Sequence, residues 1–212
     1  MHDATLLVSS SCHHCAAVMR NLGELLKLGR LGVLNMINIE QRPEMARQLG
    51  VRTVPWTKIG PFELQGMYTY AELERWANAS DDPGGWSEYV LMLLGSGQLQ
   101  AAGQFVQQHP SMLEKVPEII SHPETDIQVR VGVSALLEER AGKKEIIELI
   151  PGLSRLVKHK ERRVRADAAY FLGLTHHASA EPVLKILEGD ESPEVREIAK
   201  EAMEGLSQLT GD

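Results

Sequence analysis

Along the first 80 residues the apolar positions change period several times. The run Leu6-Leu7-Val8 inside Thr5–Ser9 is short and bounded by polar residues, which predicts a buried strand. From residue 13 to about 28 the period becomes helical, with Val18, Leu22, Leu25, Leu26 and the stem of Lys27 near one face, and Gly29 and Gly32 predict its end. Val33 to Ile39 alternates as a strand does. Pro43 to Leu49 reads as a short helix, with proline near its start and Gly50 closing it. Short strands near Trp56–Ile59 and Phe62–Gln65 and a helix over Tyr70–Ala77 complete the predicted order βαβαββα.

Beyond residue 80 strand patterns stop. Ser80-Asp81-Asp82-Pro83-Gly84-Gly85 combines turn residues with helix breakers and is the expected linker at 81–85, dividing a domain at 1–80 from one at 81–212. Trp86–Leu94 and Gln98–Gln107 predict a helical hairpin spanning 86–110. From residue 113 the pattern repeats: Pro117, Pro151 and Pro182 each open an apolar helix, and each is followed 12 or 13 residues later by Val-Arg, at 129–130, 164–165 and 195–196. Apolar side chains recur at four, seven and eight positions beyond those valines: Val133, Leu136, Leu137; Ala168, Phe171, Leu172; Ala199, Ala202, Met203. Three markers in phase at a period of 31 to 35 residues describe two helices per unit, and units of this size bury their apolar faces by stacking. The pattern resembles short HEAT-like repeats, with an acidic turn residue (Asp126, Glu161, Glu191) before each Val-Arg. The resemblance implies a small all-α solenoid that docks a protein partner; a plain helical bundle is the competing architecture. The repeated arginines read as ties to acidic partners in adjacent turns. The run Arg155, Lys158, Lys160, Arg162, Arg163, Arg165 reads as a solvated helix end or as a patch for an acidic partner.

Charge narrows the functional classes. The formal net charge is -7, with 8 basic against 7 acidic side chains in residues 1–80 and 14 against 22 in residues 81–212. Such an acidic balance argues against general nucleic-acid affinity. The longest apolar run, Val90–Leu94, falls far short of the roughly 18 to 20 residues of a membrane span, so no membrane partner is expected. Met1-His2-Asp3-Ala4 lacks the basic-then-apolar pattern of a leader, and a cytoplasmic location is the expectation.

Both cysteines of the chain lie in Cys12-His13-His14-Cys15, between the first strand and the first helix. Two thiols three residues apart at a helix start stand near the separation a disulfide needs, with one sulfur exposed and the other turned inward. The loop between them is too short for stapling to contribute much stability, so the pair reads as chemical. Four consecutive ligand types do not readily wrap one tetrahedral ion, so no metal and no cofactor are expected, although two chains sharing an iron–sulfur cluster through Cys12 stays open.

Cys-X-X-Cys after the first strand, the stretch Asn38-Ile39-Glu40-Gln41-Arg42-Pro43 continuing through Leu49-Gly50-Val51-Arg52, and Thr53-Val54-Pro55 before the third strand together resemble a thioredoxin-like domain of glutaredoxin size, over about 75 residues. The resemblance implies an α/β thioredoxin-like fold. It assigns Cys12 as nucleophile, Cys15 as resolving thiol, Pro55 as the family's cis-proline, and Val54 as the residue whose backbone pairs with an extended substrate. His14, just before the second cysteine, is a candidate for tuning the Cys12 thiolate; His13 and His14 also read as solvated turn residues. The chain departs from the family at three places. Ser11 stands where thioredoxins carry Trp, Leu6 where they carry a buried Asp, and Met36 where they carry Lys; Gln65-Gly66-Met67-Tyr68 does not match a glutathione-site signature. The implied activity is thiol–disulfide exchange on a protein substrate, with an upstream dithiol as reductant. The alternative is an adaptor or redox sensor whose repeats bind a partner without turnover.

Overall fold

A computed structural model describes residues 2–210; Met1 and the last two residues of the expected repeat domain lie outside the described residues. The chain divides into two compact units, 1–89 and 90–212. The first follows β1 (His2–Val8), α1 (Cys15–Lys27), β2 (Leu31–Asn38), α2 (Pro43–Gln48), β3 (Trp56–Ile59), β4 (Phe62–Gln65) and α3 (Tyr70–Ala79), and its last residues open α4 (Pro83–Gly95). This is the βαβαββα order expected from the sequence.

The four strands form one mixed sheet in the order β2-β1-β3-β4. β1 runs parallel to β2 and antiparallel to β3, and β4 closes the sheet as an antiparallel hairpin with β3. Ala4, Leu6, Thr57, Ile59, Phe62 and Leu64 are almost wholly buried, and the cross-strand pairs Ala4↔Ile59, Leu6↔Thr57, Thr57↔Leu64 and Ile59↔Phe62 place them on one face. α1 contributes the stripe Cys15, Val18, Leu22, Leu25 at helical spacing, all buried. Leu26 and Lys27 lie at the exposed margin of that stripe.

α1 ends at Lys27, and of the two glycines it is Gly29 that turns the chain out of the helix. Gly29 has φ 71°, its N–H bonds to the carbonyl of Leu26, and the Arg30 N–H bonds to that of Leu25, which satisfies the free carbonyls of the last turn. Gly32 lies in β2. Between α3 and α4 the expected linker reduces to a tight turn: Ser80 Oγ donates to the Trp76 carbonyl, and Trp86 Nε1 donates to the Ser80 carbonyl. A Cβ on buried Gly85 would stand 2.5 Å from Ala79, so only glycine permits this approach. Tyr89 then packs its ring on Phe62, centroids 5.0 Å apart, and on Trp76 at 5.9 Å. Its hydroxyl accepts from the Glu63 N–H at 3.0 Å and donates to the Glu63 carbonyl at 2.9 Å, filling both outward backbone groups of that residue on the β4 edge.

The second unit is helical: the rest of α4, then α5 (Leu99–Gln108), α6 (Val116–Ser121), α7 (Ile127–Glu138), α8 (Lys144–Ile147), α9 (Ile150–Ser154), α10 (Arg162–Leu174), α11 (Glu181–Leu187) and α12 (Pro193–Thr210), with 3-10 turns at Pro110–Lys115, Leu156–Lys158 and Ala178–Ala180. Pro117, Pro151 and Pro182 each stand in the first turn of a short helix. Val129, Val164 and Val195 are buried near the start of the longer helices α7, α10 and α12, and Val133, Leu136, Leu137, Ala168, Phe171, Leu172 and Ala199 are buried further along them. The repeated arginines are ties. Arg165 donates to the His159 and Lys160 carbonyls, and Arg196 donates to the equivalent Asp190 and Glu191 carbonyls of the next turn. Arg165 also grips Asp190 through two bonds and Glu191 through one, while Arg130 pairs with Asp167. Arg162 and Arg163 are likewise engaged, with Glu194 and with Glu161 and Asp167, so half of the basic run is neutralised internally.

Two outcomes follow from these contacts. Tyr89→Phe unplugs Glu63 and should lower the stability of the first unit by about 1 kcal/mol, with faster amide exchange at Glu63; unchanged urea midpoint and exchange would refute the plug. Arg165 and Asp190 side chains are each 7% exposed, and Asp190→Asn, which leaves the guanidinium its two carbonyls and exposed Glu191 but no buried counter-charge, should cost about 3 kcal/mol in urea denaturation. The Arg165 hydrogen bonds hold the Asp190 carboxyl below its ordinary value. Its contribution is therefore complete above the unfolded carboxylate's pKa and is lost as pH falls through the lowered one, so the gap between wild type and Asp190→Asn should close in strong acid.

Candidate functional site

The two registers of β1 assemble the site. Val8 pairs with Asn38 on one side and Leu7 with Trp56 on the other, so the loop 9–14 leaves β1 between the end of β2 and the start of β3. On the β2 side, Asn38 Nδ2 donates to Ser10 Oγ, Glu40 Oε1 accepts from the Ser10 N–H at 3.0 Å, and Asn38 Oδ1 accepts from the Glu40 N–H. On the β3 side, the Gly66 N–H bonds to the Pro55 carbonyl at 2.9 Å and Gln65 Nε2 bonds to Thr53 Oγ1, fastening the segment 53–55 to β4. The Val54–Pro55 peptide is cis and Pro55 is buried.

Cys12 and Cys15 form a disulfide with Cα atoms 5.5 Å apart. Cys12 is partly exposed, whereas Cys15, the first residue of α1, is only 3% exposed. The Cys15 N–H donates to Cys12 Sγ at 3.1 Å, and the Val54 carbonyl oxygen lies 3.7 Å from the same sulfur. A donor from the first helical turn stabilises negative charge on sulfur, and no acidic residue in that turn opposes it. The chemistry open to this arrangement is nucleophilic attack by one sulfur and closure by the other.

Thus four expected site residues, Cys12, Cys15, Val54 and Pro55, come together. His14 does not join them: it is the exposed residue before α1, its carbonyl accepts from the Ala17 and Val18 N–H groups, and its side chain does not cap the helix. Leu6 is fully buried on the central strand, opposite Thr57, whose equally buried hydroxyl has no hydrogen-bond partner. The sequence reading missed the anchors Asn38, Glu40, Gln65 and Gly66, because a side chain, or in Gly66 a backbone N–H, that holds a loop leaves no periodic trace. It also missed a legible signal, the Thr69-x-x-Glu72 capping box that starts α3 behind the site. Asn21 links α1 to this same segment by donating to the Tyr68 carbonyl. No three His, Cys, Asp or Glu side chains gather as a metal-binding group among the described residues. No protein-family model matches the chain, and no curated protein matches it in sequence.

The geometry separates the two sulfurs kinetically. After reduction, iodoacetamide should label Cys12 at least about ten times faster than Cys15, since reactivity follows exposure and thiolate character. Peptide mass spectrometry over a time course measures this, and equal rates would contradict the assignment.

Proposed function

We propose that the chain is a thioredoxin-like thiol–disulfide oxidoreductase acting on protein disulfides, with the HEAT-like helical unit docking a protein partner. The observation that carries the reading is the partly exposed Cys12 sulfur, which receives the Cys15 N–H and stands beside the backbone of Val54, while Cys15 is buried behind it. In the reducing direction the Cys12 thiolate attacks one sulfur of the substrate disulfide, forming a mixed disulfide and releasing the other substrate sulfur as a thiolate. Cys15, deprotonated, then attacks the Cys12 sulfur. The Cys12–Cys15 disulfide forms, the second substrate thiolate leaves, and two electrons have passed from the chain to the substrate. An upstream dithiol reverses these steps to restore the reduced pair. Val54 offers its backbone to an extended substrate alongside Cys12.

For the helical unit, a cleft of about 460 Å³ between α5 and the α7–α8 region supports the docking reading. Gln100, Gln104, Gln107, Glu139, Arg140 and Lys143 line it, a polar rim suited to a protein surface. One observation favours the redox-sensing adaptor as second reading: Leu6 supplies no internal base for Cys15, which suits slow turnover.

A Cys15→Ser trap in the native cell tests the choice, with Cys12→Ser, Cys15→Ser as control. The expected result is a discrete set of partners held through Cys12, together with insulin reduction by wild type that Cys12→Ser abolishes. Partners retained by both variants without a covalent bond, and no insulin reduction, would favour the adaptor.

A further inference from the structure

The two edges of the sheet are treated differently. β4 is four residues long, carries Glu63, and has that residue's backbone N–H and carbonyl both occupied by the Tyr89 hydroxyl. β2 forms the opposite edge, and among the described residues only its last residue is covered there, the Asn38 carbonyl accepting from the Gln41 and Arg42 N–H groups. It is eight residues long, Leu-Gly-Val-Leu-Asn-Met-Ile-Asn, without a charge or a proline. Val33 is 46% exposed and Met36 42% exposed. Its outward row of backbone groups is a template for another strand, which natural edges usually block with charges, proline or a cover.

The geometry points to a second copy of this chain as the occupant, through antiparallel pairing of β2 with β2 about a two-fold axis. This inference does not depend on the redox reading. The register against β1 is irregular between Leu31 and Leu34, where β2 carries one extra residue, and regular from Leu34 to Asn38. The longest regular self-pairing is centred on Met36. It sets Met36 against its own symmetry mate, Asn35 against Ile37, and Leu34 against Asn38, burying the exposed methionine twice.

Charge selects the antiparallel sense. Arg30 precedes the strand and Glu40 follows it, both exposed. Antiparallel pairing brings the Arg30 end of each copy beside the Glu40 end of the other, at two symmetric places. The Glu40 end also carries exposed Arg42, so parallel pairing would set Arg30 against Arg30 at one end and an end bearing both signs against itself at the other. Arg30 also reaches Glu74 at 3.5 Å and Glu40 holds the Ser10 N–H, so both side chains are already oriented at the strand's ends.

Sedimentation of the full chain over a concentration series tests the pairing. A reversible shift towards twice the chain mass is expected by about 100 μM. Met36→Lys, which opposes two ammonium groups across the axis, should sediment as a monomer with an unchanged thermal melt. In a Cys12→Ser, Cys15→Ser background, Met36→Cys should form a disulfide-linked dimer, because paired Cα atoms about 4.5 to 5.5 Å apart suit the bond. Val33→Cys, equally exposed but roughly 20 Å from its mate in this register, should not. A wild-type chain that stays monomeric throughout overturns the inference, whether or not it accepts a foreign peptide on β2. Equal cross-linking through Val33→Cys also overturns it.

Discussion

The site exists because of the register of one strand. β1 is an inner strand bonded on both sides, parallel to β2 through Val8↔Asn38 and antiparallel to β3 through Leu7↔Trp56. Those two pairings bring Asn38 and Glu40 to one flank of loop 9–14 and Val54-Pro55 to the other. A slip of one residue would turn Leu6 onto the equally buried face that Leu7 fills, forcing both sides of the sheet to repack, and would carry both flanks out of reach of the cysteines. Register is protected against such a slip by burial: Leu6, Leu7, Thr57, Ile59 and Leu64 have no measurable exposure, and a fully buried leucine or isoleucine contributes roughly 1.5–3 kcal/mol.

The helical unit solves a different problem. Its helices are short, several of only four to seven residues, and helices of this length have little stability of their own. Apolar stacking of Val133, Leu137, Phe171, Leu172 and Leu184 supplies the core. The turns between helices are where backbone carbonyls would otherwise lack partners, and there the arginines act. Arg165 and Arg196 each hold the two carbonyls five and six positions back, and Arg165 continues to the carboxylates of the following turn. At these same turns His159 Nδ1 accepts from the Glu161 N–H and Asp190 Oδ1 from the Ser192 N–H, so histidine and aspartate do equivalent work in consecutive units. One side chain in each turn satisfies a donor while one arginine satisfies acceptors.

Elements with strong periodicity were legible in the sequence to within a few residues: β3 and β4 have the expected limits, and α1 starts two residues later than expected because Cys12 to His14 belong to the loop. The Val-Arg repeat was legible because it recurs, and recurrence makes a weak local signal visible. What escaped was long-range. Nothing near Tyr89 announces that its hydroxyl will meet Glu63, 26 positions away. Ser80 to Gly85 has the composition of a linker yet packs tightly, because Trp86 folds back onto the Ser80 carbonyl and the absent side chain of Gly85 admits Ala79. The cysteines were legible through their spacing and Pro55 through the resemblance, whereas Asn38 and Glu40 hold their loop by side-chain hydrogen bonds that no spacing announces.

Leu6 bears on how the proposed chemistry would run. Attack by Cys12 needs only its own thiolate, and the Cys15 N–H beside the sulfur favours that charge. Closure needs the buried Cys15 to lose its proton, and burial among apolar groups disfavours a thiolate. Leu6 offers no group that accepts that proton, and the Thr57 hydroxyl opposite it has no hydrogen-bond partner through which to pass one. The proton must therefore pass to solvent or to the departing substrate thiolate. On this account closure is the slow step and the mixed disulfide through Cys12 is the longest-lived intermediate. In the proposed chemistry the same apolar strand that fixes the fold would set the order of rates, and slow resolution would suit the proposed docked partner better than a substrate met by free diffusion.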